Sequence, residues 1–339
     1  MSTKYRLSIL ALLLAFFSCA KAIDEKASHL RGDPINIAML RKSGDDSVIE
    51  DFYSRELVCR VDMIGLRGEY YFNSSPSDAQ TVCATYLLGE SNDLVEIEFT
   101  QFNVDCNDPA NILQFFDGWT MGVGQFPGDD DHPLPITERV INVCDQRQRV
   151  YRSHQNGAMI TFRLGQPNAS FRIAFRLINN PEPCNVIAPE PTGAHTLRNF
   201  GYERNCSFSI IYPTDVTIME MSIGSEENDG TRLRCHDGLD YVELMEGNSL
   251  NMDTMRSETS LCGQVGNIVR QHGDGNPLNP NNQIVPGSPL CDARSVSMPL
   301  MCHNSVVRLV SSNQYENHVS FRFNQMPITR SACPEEEVV

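Results

Sequence analysis

The residues able to carry covalent or metal chemistry are twelve cysteines, eight histidines and one run of three aspartates, Asp129-Asp130-Asp131. Their spacing argues against catalysis. A zinc hydrolase of the H-E-x-x-H type sets two histidines one helical turn apart on one face, and no two histidines here stand four positions apart. No G-x-S-x-G nucleophile elbow and no phosphate-cradling P-loop occurs. No C-x-x-C pair offers the thiolate spacing of structural zinc. The sequence predicts a protein that is not an enzyme, with no metal and no cofactor. The three aspartates read as a solvated acidic loop. The cysteines are left, and they read as cross-links.

That reading needs an oxidising compartment, and the first residues supply the address. Lys4 and Arg6 precede an apolar run from Leu7 to Phe17, broken only by Ser8, and Ala20-Lys21-Ala22 offers small residues for a signal peptidase. Eleven residues reach about 16 Å as a helix, half the ~30 Å of a hydrocarbon core. Residues 1–22 are therefore expected to be a cleaved secretory signal. No later run is long enough to span a membrane. The formal charge is −16, and losing the three basic residues of the signal makes it more negative still. Such a surface excludes a global nucleic-acid footprint and favours basic peptides. With 41% hydrophobic and 21% charged residues over 339 positions, the chain is folded and long enough for two domains.

Cys19 leaves with the signal. Of the eleven that remain, eight form two sets of four: Cys59, Cys83, Cys106 and Cys144, then Cys184, Cys206, Cys235 and Cys262. The sets are offset by about 125 positions, the length of a domain. Each third cysteine is followed 12 positions later by a glycine that ends an apolar strand, at Gly118 and at Gly247. Flanking segments alternate: Val95, Ile97 and Phe99 interleave with Glu96 and Glu98, and Phe171, Ile173 and Phe175 with Arg172 and Arg176. Met219, Met221, Ile223, Val319, Phe321 and Phe323 follow the same rule. A period of two with one polar face predicts half-buried antiparallel sheet. Each set closes with two strands joined by a polar turn, Met159–Leu164 with Ser170–Arg176 and Val306–Val310 with Val319–Phe323.

This pattern resembles the CUB domain, a β-sandwich closed by two consecutive disulfides. The expected fold is all-β: two tandem CUB-like antiparallel sandwiches over residues 51–178 and 184–333, with a linker at 179–183. The resemblance implies the pairs Cys59–Cys83, Cys106–Cys144, Cys184–Cys206 and Cys235–Cys262; spacing alone leaves three connectivities per set. Some CUB domains bind calcium, but the matching positions here, Asn111 and Asp240 with Leu164-Gly165 and Ser311-Ser312-Asn313, are poor in carboxylates. Residues 23–50 read as a loosely ordered arm, 263–298 as a long loop, and 334–339 as an acidic tail. Asn73, Asn168 and Asn205 open glycosylation sequons. Arg31-Gly32-Asp33 is read as a coincidental tripeptide, and Trp119 as a packing residue. Cys291 stands beside the long loop as a free thiol, an intermolecular bridge or a partner of Cys302.

Five further segments resemble, in order, the corticotropin-releasing factor-binding protein family. They are Phe116-Asp117-Gly118-Trp119; Asp131-His132-Pro133-Leu134-Pro135 with Glu138-Arg139; Pro183-Cys184-Asn185-Val186-Ile187; Arg204 to Pro213; and Asn304 to Ser312. The resemblance covers residues 53–333 and looks like that of a divergent, invertebrate member. It implies a secreted, glycosylated carrier that sequesters corticotropin-releasing-factor-like, here diuretic-hormone-like, peptides and limits their access to receptors. It implies a fifth disulfide, Cys302–Cys333, favours Asn205 as a glycan site, and carries ligand binding onto Arg55 and Asp62. The 263–298 loop and a residue inserted after Cys59 depart from the pattern. The alternative reading is an extracellular CUB-type adhesion or matrix protein without hormone binding.

Overall fold

Alternating apolar and polar side chains build four five-stranded sheets in two facing pairs. A computed structural model describes residues 53–59, 61–121, 124–145, 148–224, 239–265 and 296–327. The expected signal, arm, Arg31-Gly32-Asp33, Cys235, Cys291, Cys333, most of the long loop and the acidic tail lie outside the described residues. In the first sandwich one sheet runs β1 (Ser54–Glu56), β3 (Gly68–Asn73), β12 (Ser170–Asn179), β5 (Asp93–Asn103), β10 (Val150–Arg152). The facing sheet runs β2 (Val61–Ile64), β4 (Cys83–Leu88), β11 (Gly157–Arg163), β6 (Ile112–Phe116), β9 (Val140–Asn142). A short hairpin, β7 (Trp119–Met121) with β8 (Gly124–Phe126), follows β6.

The second sandwich repeats the plan. One sheet runs β13 (Val186–Ala188), β15 (Cys206–Ile210), β21 (Asn304–Val310), β17 (Tyr241–Gly247), β18 (Arg256–Leu261). The other runs β14 (Thr192–Arg198), β22 (His318–Gln325), β16 (Thr214–Ile223), and β16 also pairs with β19 (Gly263–Val265) and β20 (Val296–Leu300). The repeat extends to polar detail. Asn111 Oδ1 accepts from the Gly165 amide, and Asp240 Oδ1 from the Ser312 amide, both at 2.8 Å. Asp240 also takes the Ser312 hydroxyl and Asn317 Nδ2, so protein donors occupy its carboxylate.

The fold is the expected pair of disulfide-stapled β-sandwiches, with three differences from the sequence reading. The edge strands β1, β2 and β13 pair in parallel with β3, β4 and β15. The closing strands of each set do not pair with each other: β11 and β12 lie in facing sheets, as do β21 and β22. Alternation sets which face is buried and leaves the partner strand open. The expected 263–298 loop begins and ends in strand, at β19 and β20, because β16 offers both a free edge. Three disulfides join described residues, Cys59–Cys83, Cys106–Cys144 and Cys184–Cys206. Cys262 and Cys302 are each disulfide-bonded as well.

Both cores are aromatic. Phe72, Phe162 and Phe171 pack together in the first, and Phe208, Phe321 and Phe323 in the second, with tilted or edge-on rings. The outer face of β5 and β12 is laced by charge: Arg176 meets Glu98 at 2.7 Å and Arg152 meets Glu96 at 2.6 Å. Such exposed pairs stabilise little.

One titratable ring, half-buried, packs against the second core. His195 on β14 stacks on Phe208 at 4.6 Å, and burial pushes its imidazole down to about 4. It stays neutral in the fold while the unfolded chain protonates near pH 6.5, so its contribution is fully present above that value and is lost as pH falls toward 4. Between pH 7.5 and pH 5 this costs about 2 kcal/mol. Urea unfolding of His195→Phe is expected to show a shallower loss over that interval by about this amount; identical pH profiles would refute the buried neutral ring.

Candidate functional site

Strand β2 inverts the usual logic of a half-buried strand. Its inward positions are Asp62 and Ile64, and its outward positions are Val61 and Met63, which are 57% and 47% exposed. A carboxylate faces in while two apolar side chains face water. Around them stand Tyr53, Val58, Leu66 and Val82, all exposed, so six of the ten large exposed hydrophobic residues among the described residues fall between positions 53 and 82. Isolated surface hydrophobes need no explanation, but six gathered in one stretch of the chain do.

The inward carboxylate explains how the edge is held. Asp62 Oδ2 accepts from Arg55 Nη2 at 2.9 Å and from the Val58 amide at 3.2 Å, and Oδ1 accepts from the Met63 amide at 2.9 Å. The Asp62 side chain is 2% exposed, whereas that of Arg55 is 31% exposed. Arg55 therefore keeps donors toward solvent while one nitrogen is fixed. Its guanidinium lies over the Tyr70 ring at 5.7 Å. Burial pushes the Tyr70 phenol up to about 12, so it stays protonated and donates to the Leu66 carbonyl at 2.6 Å. The Cys59–Cys83 disulfide ties the β1–β2 connection to the start of β4. Arg55 and Asp62, paired in sequence only by resemblance, are in direct contact. Asp62 is satisfied internally by Arg55 and the Val58 and Met63 amides.

The other sequence-singled residues fall elsewhere. Asn73 and Asn168 are both exposed at one end of the β3–β12 ladder, where the Asn168 amide donates to the Ser74 carbonyl. Asn205 is half-buried, and its Nδ2 donates to the Asp130 carbonyl at 3.2 Å. Trp119 is 1% exposed and donates to the Leu87 carbonyl at 3.2 Å, a packing residue. The acidic run is not simply solvated. The Asp131 side chain is fully buried, and Arg308 of β21 grips it through Nε and Nη2 at 3.0 and 2.8 Å. Ser207 Oγ donates to the same carboxylate, and Asn185 Nδ2 donates to the Asp131 carbonyl at 2.7 Å. Burial lowers the Arg308 pKa, but Asp131 and Glu243 outweigh it and keep the guanidinium charged. Beside this lock a small core of Leu88, Trp119, Phe126, Ile187 and Leu250 joins the two sandwiches, both within the unit Phe52–Val339.

A family model for the corticotropin-releasing factor binding protein N-terminal domain matches residues 51–179, and the C-terminal domain model of the same family matches 186–264 and 250–330. The chain belongs to this family. Corticotropin-releasing factor-binding protein of Ovis aries is 34% identical over 280 residues, covering 82% of this chain and 78% of that one. The Xenopus laevis protein is 33% identical over 317 residues and 88% of each chain. The Homo sapiens protein is 34% identical over 284 residues, 82% of this chain and 78% of its own. All three relatives are named as binding proteins. A solved CUB1-EGF-CUB2 region of human MASP-1/3 aligns with 76% of this chain and 99% of its own at 12% identity and a TM-score of 0.24, too low to add to the family assignment. No helix among the described residues is long and apolar enough to cross a membrane.

The segments that carried the family resemblance converge on the lock and the small core beside it, not on the exposed edge. Replacing Asp131 with Ala takes the main partner from an Arg308 that is 16% exposed and leaves it only Glu243, at 3.6 Å. A loss of about 3 kcal/mol is expected in urea unfolding. Arg308→Met combined with Asp131→Ala should recover part of it; additive losses would show that the pair is not coupled.

Proposed function

We propose that this chain is a secreted carrier that binds a corticotropin-releasing-factor-like peptide hormone on the β1–β2 edge and keeps it from its receptor. The observation that carries this reading is the inverted strand β2, with apolar Val61 and Met63 outward and Asp62 inward holding Arg55. An amphipathic helix seeks an apolar surface with a fixed polar handle. Val58, Val61, Met63 and Leu66 supply the surface, and the free donors of Arg55 supply a handle for a carbonyl or carboxylate of the peptide. Asp62 acts by positioning Arg55. Family membership supports the ligand class, the binding-protein names of the relatives support a role without catalysis, and the apolar leader supports secretion. Asn73 and Asn168 are exposed, which suits both to carry glycans.

The test is titration of a synthetic peptide of the corticotropin-releasing factor class against the purified chain at physiological salt. Saturable binding is expected. Arg55→Ala and Met63→Ser are each expected to weaken it about tenfold or more, a 1.4 kcal/mol effect typical of an interface anchor. Asp62→Ala should weaken it by releasing Arg55. Wild-type affinity in all three variants would overturn the site, and absence of binding by the unmutated chain would move the reading to an extracellular interaction protein.

A further inference from the structure

Three segments far apart in sequence meet at a cluster used by neither the lock nor the exposed edge. Asp117 follows β6, His132 follows the Asp129–Asp131 turn, and His154 follows β10. One donor atom from each lies within 4.8 Å of the others. Asp117 Oδ2 faces both rings, at 2.5 Å from His154 Nδ1 and 3.3 Å from His132 Nε2. The His132 side chain is fully buried, and its Nε2 stands 3.3 Å from Asp117 Oδ2, outside good hydrogen-bond geometry.

We propose that Asp117, His132 and His154 bind a zinc ion, with a fourth position open to solvent. Two imidazole nitrogens and one carboxylate oxygen are a zinc donor set. In a tetrahedral site with bonds of about 2.0 Å, ligand atoms stand about 3.3 Å apart. The Asp117–His132 separation already has that value. The Asp117–His154 contact must open, which His154 can do because its side chain is 49% exposed. That exposure also leaves room for a bound water.

The surroundings suit a metal in three further ways. Asp117 Oδ1 is held by the His154 amide at 2.9 Å and by Gln155 Nε2 at 2.7 Å, which aims Oδ2 at the rings. His132 Nδ1 stands 3.0 Å from the Leu134 amide and 3.1 Å from the Leu134 carbonyl. It can accept from the amide when the site is empty, or donate to the carbonyl when Nε2 ligates. The second arrangement is the supporting bond that metal-bound histidines make. Gly118, at φ 135°, sets the turn that delivers Asp117, since a Cβ there would run into the Phe126 carbonyl.

The proposal is independent of the hormone. Zinc chloride is titrated into the disulfide-bonded chain, stripped beforehand with chelator, by calorimetry, and the melting temperature is recorded with zinc and with chelator. One saturable site and a higher melting temperature with zinc are expected. His154→Ala and the closer-sized His154→Gln should each weaken binding at least about tenfold, the loss that follows even from removing a supporting partner, and should each lose the zinc-dependent rise in melting temperature measured against the same variant in chelator. No heat and no thermal shift in the unmutated chain would overturn the proposal. So would variants that bind zinc with unchanged affinity.

Discussion

The buried carboxylate of Asp131 is the constraint on which the arrangement of the two sandwiches depends. A carboxylate with no exposed surface is tolerable only when its partners are built around it. Here they come from the other half of the chain: Arg308 from β21, Ser207 from β15 and Asn185 ahead of β13. Because the Arg308 fork meets the carboxylate with two nitrogens, it fixes orientation as well as distance. The neighbouring small core adds area but little direction. Ile187 shows the difference: its side chain packs on Trp119, while its backbone is read in both directions by Asn156, which donates to its carbonyl at 2.8 Å and accepts from its amide at 2.9 Å. Polar matching selects one docking of two otherwise similar greasy faces.

The same device appears in miniature at the exposed edge. Asp62, with a side chain 2% exposed, is also satisfied by an arginine and backbone amides. The outcome differs because Arg55 is only partly covered, so a structural ion pair leaves part of its fork free. A strand that turns a carboxylate inward must turn its intervening residues outward, and on β2 those are valine and methionine. The exposed apolar edge is thus the geometric counterpart of the buried carboxylate, and strong conflict between local pattern and burial is where function is to be expected.

Much of the fold was legible. Alternation over Val95–Phe99, Phe171–Phe175 and Val319–Phe323 marks strands whose apolar side chains are the core. The repeat surfaced in cysteine spacing and holds in sheet order. The parallel pairing of β1, β2 and β13 was not legible, because strands of three or four residues carry too little pattern to choose a partner or direction. The reading of Asp129-Asp130-Asp131 as solvated failed for a similar reason. Composition sees three equal aspartates, whereas the turn buries the third and leaves the first exposed. Arg55 and Asp62 had no signal of their own beyond the family resemblance. Their pairing depends on a turn closed by the Val58 amide. The Asp117, His132 and His154 cluster was invisible because metal motifs are searched over short spacings, while β-sandwich loops gather residues from opposite ends of strands.

The lock and the exposed edge are joined by one strand. β4 begins at Cys83, whose disulfide pins the β1–β2 turn, and ends at Leu88 in the core between the sandwiches. Met63 of the edge is in register with Tyr86, whose ring meets Trp119 at 5.0 Å and whose hydroxyl donates to the Thr120 carbonyl at 2.7 Å. An edge strand left to itself frays, and a ligand that must order its own platform binds with correspondingly less free energy. Here the platform is held at one end by a covalent bond and along its length by a strand buried in the contact between the sandwiches. The family-typical segments, which cluster on that contact, therefore act on the edge at one remove: they hold β4, β4 holds β2, and β2 keeps Val61 and Met63 on a preformed surface.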